Sequence, residues 1–326
     1  MQGQEATELS SGQKSSIGVD VSKDWLDVHV LPSGQWFRLP NDAQGHRQLK
    51  RRIAGLEIAC VALEPTGKWH RALCRSLLAA GIPVMLADPL RVRLFAQSMG
   101  LLAKTDRLDA AVLAAFAAAS PGSLRPRPSQ AIEAIAELVT ARDAAVAEMV
   151  RLKNQHHAAC DRFLQRQLAR RIKAAEQVID DLDGEIGRRI KADPALAARQ
   201  AILCSIPGIG DVTAALAIAK LPELGALTDK QIAMLAGLAP IANQSGKRDG
   251  PRSVRGGRPC IARAFYIAAL SAIRFNPALK AFYARLRLAK KPAKSALLAV
   301  ARKLLIIANT LVNQNRSWLP HAPKTA

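Results

Sequence analysis

Short apolar runs and helical stripes alternate along the first third of the chain. Ser16-Ile-Gly-Val-Asp-Val-Ser22 has the length and character of a buried strand. Trp25–Leu31 and Gly34–Leu39 follow as two more, joined by the hairpin signal Pro32-Ser33-Gly34. Asn41-Asp42 can cap a helix running to about Ala54. Ile58–Leu63 is a fourth apolar run, closed by Glu64-Pro65-Thr66-Gly67, and a helical stripe covers Trp69–Ala80. Pro83–Leu86 predicts a fifth strand, a helix begins near Pro89, and Thr105–Ala119 is strongly helical until Pro121-Gly122 stops it. Three strands, helix, strand, helix, strand, helix is the order of a mixed α/β sheet, assigned to residues 15–125 after a disordered lead-in at 1–14.

The pattern then changes period. Pro126 and Pro128 mark a linker, and no further proline occurs before Pro194. Apolar residues recur there at helical spacing (Ile132, Ile135, Leu138, Val139, then Ile179, Leu182, Ile186, Ile190), so residues 126–200 read as long coiled-coil helices. An intramolecular hairpin, a dimerising pair and a plain core segment all fit that stripe. Residues 201–315 read as a mostly helical domain. Ile206-Pro-Gly-Ile-Gly210 opens a helix through Ala219, Thr228 caps another, and three patterns run from Ile261 to Val312. A Gly- and Arg-rich loop is expected from Ala239 to Pro259 and a flexible tail at 316–326.

Composition narrows the class. Of 326 residues, 49% are hydrophobic, enough for real cores, yet no uninterrupted apolar run reaches the ~18 residues of a membrane span. The polar start lacks the apolar core of a signal peptide, so a cytoplasmic protein is expected. Five scattered cysteines, without a CxxC or His-spaced pair, offer neither a disulfide framework nor a zinc site. Charge says more: the net charge is +21, and residues 246–303 hold fifteen Lys/Arg against Asp249 alone, or +14 of it. So concentrated a field suits a polyanion, because each neutralised phosphate releases counterions. A membrane surface fits less well, since the segment mixes loop with helix.

Four acids stand out by placement. Asp20 lies inside an apolar strand, where an uncompensated carboxylate is costly. Glu64 ends another strand, and Asp106 and Asp109, three apart, share one helix face. Like charges on one face repel unless a cation sits between them, and oxygen-only donor sets select Mg²⁺ or Mn²⁺. Such an ion can activate or stabilise oxygens at a phosphodiester. Bland roles are available too: a first-turn acid for Asp106, a turn residue for Glu64, a Lys23 partner for Asp20. Asp24, Asp27, Asp42 and Asp88 fit turns or solvated strand faces.

The runs GVDVSKDWLDV, LEPTG and KTDRLDA resemble the RuvC-like nuclease domain of insertion-sequence transposases that carry a DEDD tetrad, the bridge-RNA-guided recombinase family. The resemblance implies an RNase H-like fold for the first domain, with Asp20, Glu64, Asp106 and Asp109 as the metal-holding tetrad. Lys104, next to the helical pair, fits a phosphate contact and equally a solvated helix-end lysine.

The second half adds a serine. GLAPIANQSGKRDGPRSVRGGRP sets Ser245 beside Gly246 among Lys247, Arg248, Arg252, Arg255 and Arg258. A serine hydroxyl needs a base, a metal or a polarising field before it attacks, and arginine forks could hold a phosphate near it. A plain phosphate-binding loop looks the same. The resemblance extends through GLAP, SGK and RGGRP, covering residues 16–315, and implies a C-terminal serine transposase domain with Ser245 as the nucleophile that links to DNA. Ser253, in the same loop, does not match the family's position. Where the family often has Gly-Asn, this chain has Gly257-Arg258-Pro259. Also implied are donor and target double-stranded DNA, a structured bridge RNA pairing with both, a homo-oligomer (dimer or tetramer), and a prokaryotic, nucleoid-associated setting. A metal-dependent hydrolytic nuclease or junction resolvase, in which Ser245 only binds phosphate, is the alternative; a non-catalytic nucleic-acid scaffold is the second. Ile206–Gly210 resembles a helix-hairpin-helix turn whose amides could approach a phosphate, or is an ordinary Gly-rich cap. His156-His157 point about 100° apart on their helix and make a poor metal pair.

Overall fold

A computed structural model describes residues 14–65, 67–101, 105–120, 129–245 and 248–319, except for the side chains of 248, 249 and 251. It forms two compact units, divided between Arg125 and Pro126.

The first unit follows the predicted element order. Its strands are β1 (Ser15–Val21), β2 (Trp25–Leu31), β3 (Gln35–Pro40), β4 (Ile58–Leu63) and β5 (Val84–Leu86), and its helices are α1 (Ala43–Ile53), α2 (His70–Leu78), α3 (Pro89–Ser98) and α4 (Asp106–Ala119). The sheet order is β3-β2-β1-β4-β5. The β1-β2-β3 pairs are antiparallel and the β1-β4-β5 pairs parallel. This is the mixed sheet expected of an RNase H-like domain.

Strand alternation divides the side chains between two layers. Ile17, Val19, Val21, Leu26, Val28 and Val30 pack with Leu49 and Ile53 of α1 and Leu73 and Leu77 of α2. The opposite face takes α3 and α4, where Cys60, Ala62 and Met85 meet Val112, Leu113 and Phe116. Asp42 and Asp88 are helix caps, accepting from the backbone N–H of Gly45 and Arg91 at 2.7 and 3.0 Å.

The second unit begins with a helical hairpin, α5 (Gln130–Ala158) and α6 (Arg162–Ala192). Arg142–Asp183 and Lys153–Glu176 pairs tie the two together antiparallel. Their inner ends are not a separate layer: Ile135, Val139, Ile186 and Ile190 belong to one core with α7 (Pro194–Cys204), α8 (Asp211–Lys220), α9 (Asp229–Leu235), α10 (Pro259–Phe275), α11 (Pro277–Leu288) and α12 (Ala293–Asn313). The boundary expected at 200/201 therefore falls inside α7. By length and composition alone α12 could cross a membrane. It is instead a core helix of this unit, burying Leu297, Val300, Leu304, Leu305 and Leu311. Trp318 returns to the core, its backbone N–H donating to Ser205 Oγ at 2.8 Å, so the start of the expected loose tail is anchored; residues 320–326 lie outside the described residues.

The segment expected as a Gly- and Arg-rich loop forms a β-hairpin, β6 (Pro240–Ser245) with β7 (Arg248–Val254), antiparallel and registered Ser245↔Arg248. Its base is a tight crossing. A Cβ on Gly257, whose φ is +70°, would lie 2.2 Å from the Gly237 nitrogen, so only glycine fits.

Candidate functional site

The carboxylate cluster grows from strand register. Val19 pairs with Leu63 across the parallel β1–β4 ladder, so the next residues, Asp20 still within β1 and Glu64 just past the end of β4, come side by side at the C-terminal ends of these two strands. Asp20 sits on the α4 face because its neighbours Val19 and Val21 fill the opposite core. Thr105 starts α4 over that face, its Oγ1 accepting from the Leu108 N–H at 3.3 Å, which places Asp106 and Asp109 in the first turn. The helix N-terminus favours anionic side chains there.

Asp20 feels the other three acids. Burial, then the charges of Asp109, Asp106, Glu64 and Asp27, raise the Asp20 carboxyl from 3.8 to about 6. An acid whose folded value is raised binds more protons folded than unfolded between those two values. Its contribution is therefore favourable at low pH and is lost as pH climbs from about 4 to about 6. Asp20→Asn is expected to stabilise the metal-free protein at pH 7.5 by about 1 kcal/mol, the figure being scaled down for partial solvent screening. The advantage should vanish near pH 3.5. Thermal unfolding of both proteins in chelator at the two pH values checks this.

Asp27, expected on a solvated strand face, is buried at 3% exposure. It is tolerated because Arg38 of β3 grips it with Nε at 3.0 Å and Nη2 at 2.9 Å. The same Nη2 donates to Asp106 at 2.9 Å. Sequence reading missed Arg38; its one signal is a polar position between Phe37 and Leu39. As placed, no three acid, His or Cys side chains among the described residues converge to hold a metal ion. In kind the donors do fit one: four oxygen ligands on one face, with repulsion already visible at Asp20.

Ser245 ends β6 and is exposed. Ser253 pairs with Ile241 near the hairpin base, four strand positions inward. Arg252 and Arg255 are exposed. Lys104, Lys247 and the Arg248 side chain lie outside the described residues. Arg258, expected at a phosphate, is drawn inward instead. Its Nη1 and Nη2 bind the Glu223 carboxylate at 2.7 Å each, Nη1 also reaches the Lys220 carbonyl, and the Glu223 side chain is 3% exposed. Arg258→Ala, which strands that carboxylate and loosens the hairpin base, is expected to cost about 3 kcal/mol in urea unfolding.

The Ile206–Gly210 turn has a packing role: a Cβ on Gly208 would lie 2.6 Å from Ala272 Cβ of α10. The α8 N-terminus it opens already carries the Asp211 carboxylate, contacted by Gln200 and Cys204, which disfavours a phosphate there.

Comparison with known proteins agrees with this layout. Residues 17–164 match the family model of the DEDD transposase of IS110 elements, described as a transposase. Residues 200–284 match the model for transposases of the IS116/IS110/IS902 family. The chain is 26% identical over 316 residues to the pilin gene-inverting protein of Moraxella bovis, covering 94% of this chain and 98% of that protein. It is 30% identical over 158 residues to the uncharacterized 43.6 kDa protein of insertion element IS110 from Streptomyces coelicolor, covering 48% of this chain and 38% of that protein. In chain order its two regions match models of IS110 and IS116/IS110/IS902 transposases, and along nearly its whole length the chain is similar to a gene-inverting protein, the pattern of an insertion-sequence transposase of this kind.

Proposed function

We propose that this protein is an insertion-sequence DNA recombinase that cuts and rejoins donor and target DNA through a covalent link to Ser245, with a divalent cation held by Asp20, Glu64, Asp106 and Asp109. The observation that carries the proposal is the position of Ser245, exposed at the outer end of a hairpin whose base is locked into a helical core. A nucleophile there can reach a duplex backbone that a buried serine could not.

The bonds balance without an outside reagent. Ser245 Oγ attacks the scissile phosphorus, a serine–phosphate ester forms, and the bond from phosphorus to the leaving sugar oxygen breaks. The serine proton passes to that oxygen. One phosphoester replaces another, so the reverse attack by a new strand's hydroxyl restores DNA and frees the serine. Arg252 and Arg255, exposed on and just beyond β7, can fork to phosphate oxygens and orient the backbone. A bound Mg²⁺ or Mn²⁺ would supply Lewis-acid stabilisation of charge on phosphate oxygens. Asp20, within β1, and Glu64, just past β4, stand side by side, and Asp106 and Asp109 come from the first turn of α4.

Guidance by a structured bridge RNA and action as a dimer or tetramer complete the proposal. They are supported by the family motifs and by a +14 segment suited to polyanions. DNA inversion, the activity named in the Moraxella bovis relative, likewise demands cutting and rejoining. The test is a denaturing gel of protein mixed with Mg²⁺, labelled element-end and target DNA, and RNA transcribed from the element's flank. A protein–DNA adduct supports the reading; cut DNA without an adduct makes the protein a hydrolytic nuclease.

A further inference from the structure

We propose that Arg38 is a positioning residue of the carboxylate site, a resident cation that holds Asp106 apart from the other acids until a divalent metal takes it over. The inference rests on the metal reading above and adds a competitor for one of its ligands.

Two observations converge. Register aligns Asp20 with Asp27 across β1–β2 and Asp27 with Arg38 across β2–β3, so the three stand in one row on one face of the sheet. The guanidinium lies between two carboxylates of unlike character: the Asp27 side chain is 5% exposed and held at two nitrogens, whereas that of Asp106 is 66% exposed and held at one.

Unequal burial decides which pair yields. Releasing Asp27 would leave a buried carboxylate without its counter-charge, while an exposed ion pair such as Arg38–Asp106 is weak and readily exchanged. Arg38 and Asp27 therefore stay in place and Asp106 is the partner that moves. A metal ion must displace the guanidinium from Asp106 and accept its repulsion, and both effects hold metal affinity down.

Removing the competitor without stranding Asp27 should thus tighten metal binding. The test is calorimetric titration of Mn²⁺ into chelator-treated, full-length protein. The double variant Asp27→Asn/Arg38→Gln, whose amides can still pair, is expected to bind Mn²⁺ about three- to fivefold more tightly than the unaltered chain, the range of one exposed ion pair. Arg38→Lys keeps a charge beside Asp27 but lacks the planar fork that spans both acids, and should fall between the two. It also serves if the double variant does not fold. Asp109→Asn should lose Mn²⁺ binding. Equal or weaker binding in the Arg38 variants, with Asp109→Asn still defective, would overturn the role of Arg38 and leave the metal reading intact. Equal binding by Asp109→Asn and the unaltered chain, or no binding by either, would remove the metal reading and this inference together.

Discussion

Ser245→Ala is expected to abolish the covalent protein–DNA adduct and to lower strand exchange by at least about a thousandfold, because no other oxygen can replace a nucleophile at that position. DNA binding should change little. The hairpin is held by its backbone ladder and by the Arg258–Glu223 pair at its base, neither of which involves the Ser245 hydroxyl. Ser253→Ala is the matched control. At about 3.3 Å per strand residue, its four positions from the Ser245 level put Ser253 about 13 Å farther in, toward the base. Its loss should leave the adduct intact. A denaturing gel reports the adduct and a salt-dependent binding assay reports affinity. An adduct that survives in Ser245→Ala and disappears in Ser253→Ala would reassign the nucleophile. DNA cleavage unchanged in Ser245→Ala would return the chemistry to hydrolysis.

That the two serines lie at opposite ends of a β-hairpin could not be read from the hydrophobic pattern of the chain, and the reason is physical. The strands of the sheet were legible because each has a buried face. Ile17, Val19 and Val21 repeat at period two, and Asp20 is conspicuous because it breaks an otherwise apolar run. Strands β6 and β7 carry no such mark. Every residue of Pro240–Ser245 is exposed or half-buried, and Pro251 and Gly250 read as loop punctuation. Their pairing depends on backbone hydrogen bonds and on the glycine crossing at the base, which hydrophobic periodicity does not register. Arg258 fails for a related reason. It is one arginine among many, and what distinguishes it is a buried acid 35 residues away at Glu223. Asp27 and Arg38 were hidden in the same manner: each looks like a polar position on a strand, and their partnership exists only once three strands are in register. The four acids proposed to hold a metal could be singled out because Asp20 interrupts an apolar strand, Glu64 follows one and Asp106 and Asp109 open a helix, which are local features. Their electrostatic coupling, seen in the raised carboxyl of Asp20, needed the fold.

Gly18→Ala should be among the most damaging single changes in the first unit, with an expected loss of at least about 4 kcal/mol and little soluble protein. Gly18 stands on β1 two residues before Asp20, on the same side of the strand. An added Cβ would lie 2.0 Å from the Ala110 carbonyl oxygen and 2.3 Å from the Ala114 nitrogen. Both are backbone atoms of α4, so no side chain can rotate away; the helix itself must lift from the sheet. The φ of Gly18 is outside the left-handed region, so the penalty comes from close approach alone. Lifting α4 pulls Val112, Leu113 and Phe116 from Cys60, Ala62 and Met85, opening the smaller core. It also carries Asp106 and Asp109 away from Asp20 and Glu64. A protein rescued at low temperature should therefore lose its metal response as well as its stability. Gly55→Ala is the control: nothing lies within 4 Å of its added Cβ and its φ is not positive, so its unfolding free energy in urea should be unchanged to within about 0.5 kcal/mol. If Gly18→Ala unfolds at the same urea concentration as Gly55→Ala, then α4 does not rest on β1 as closely as the geometry requires. The spacing of the four acids would then have to be set by something other than that contact.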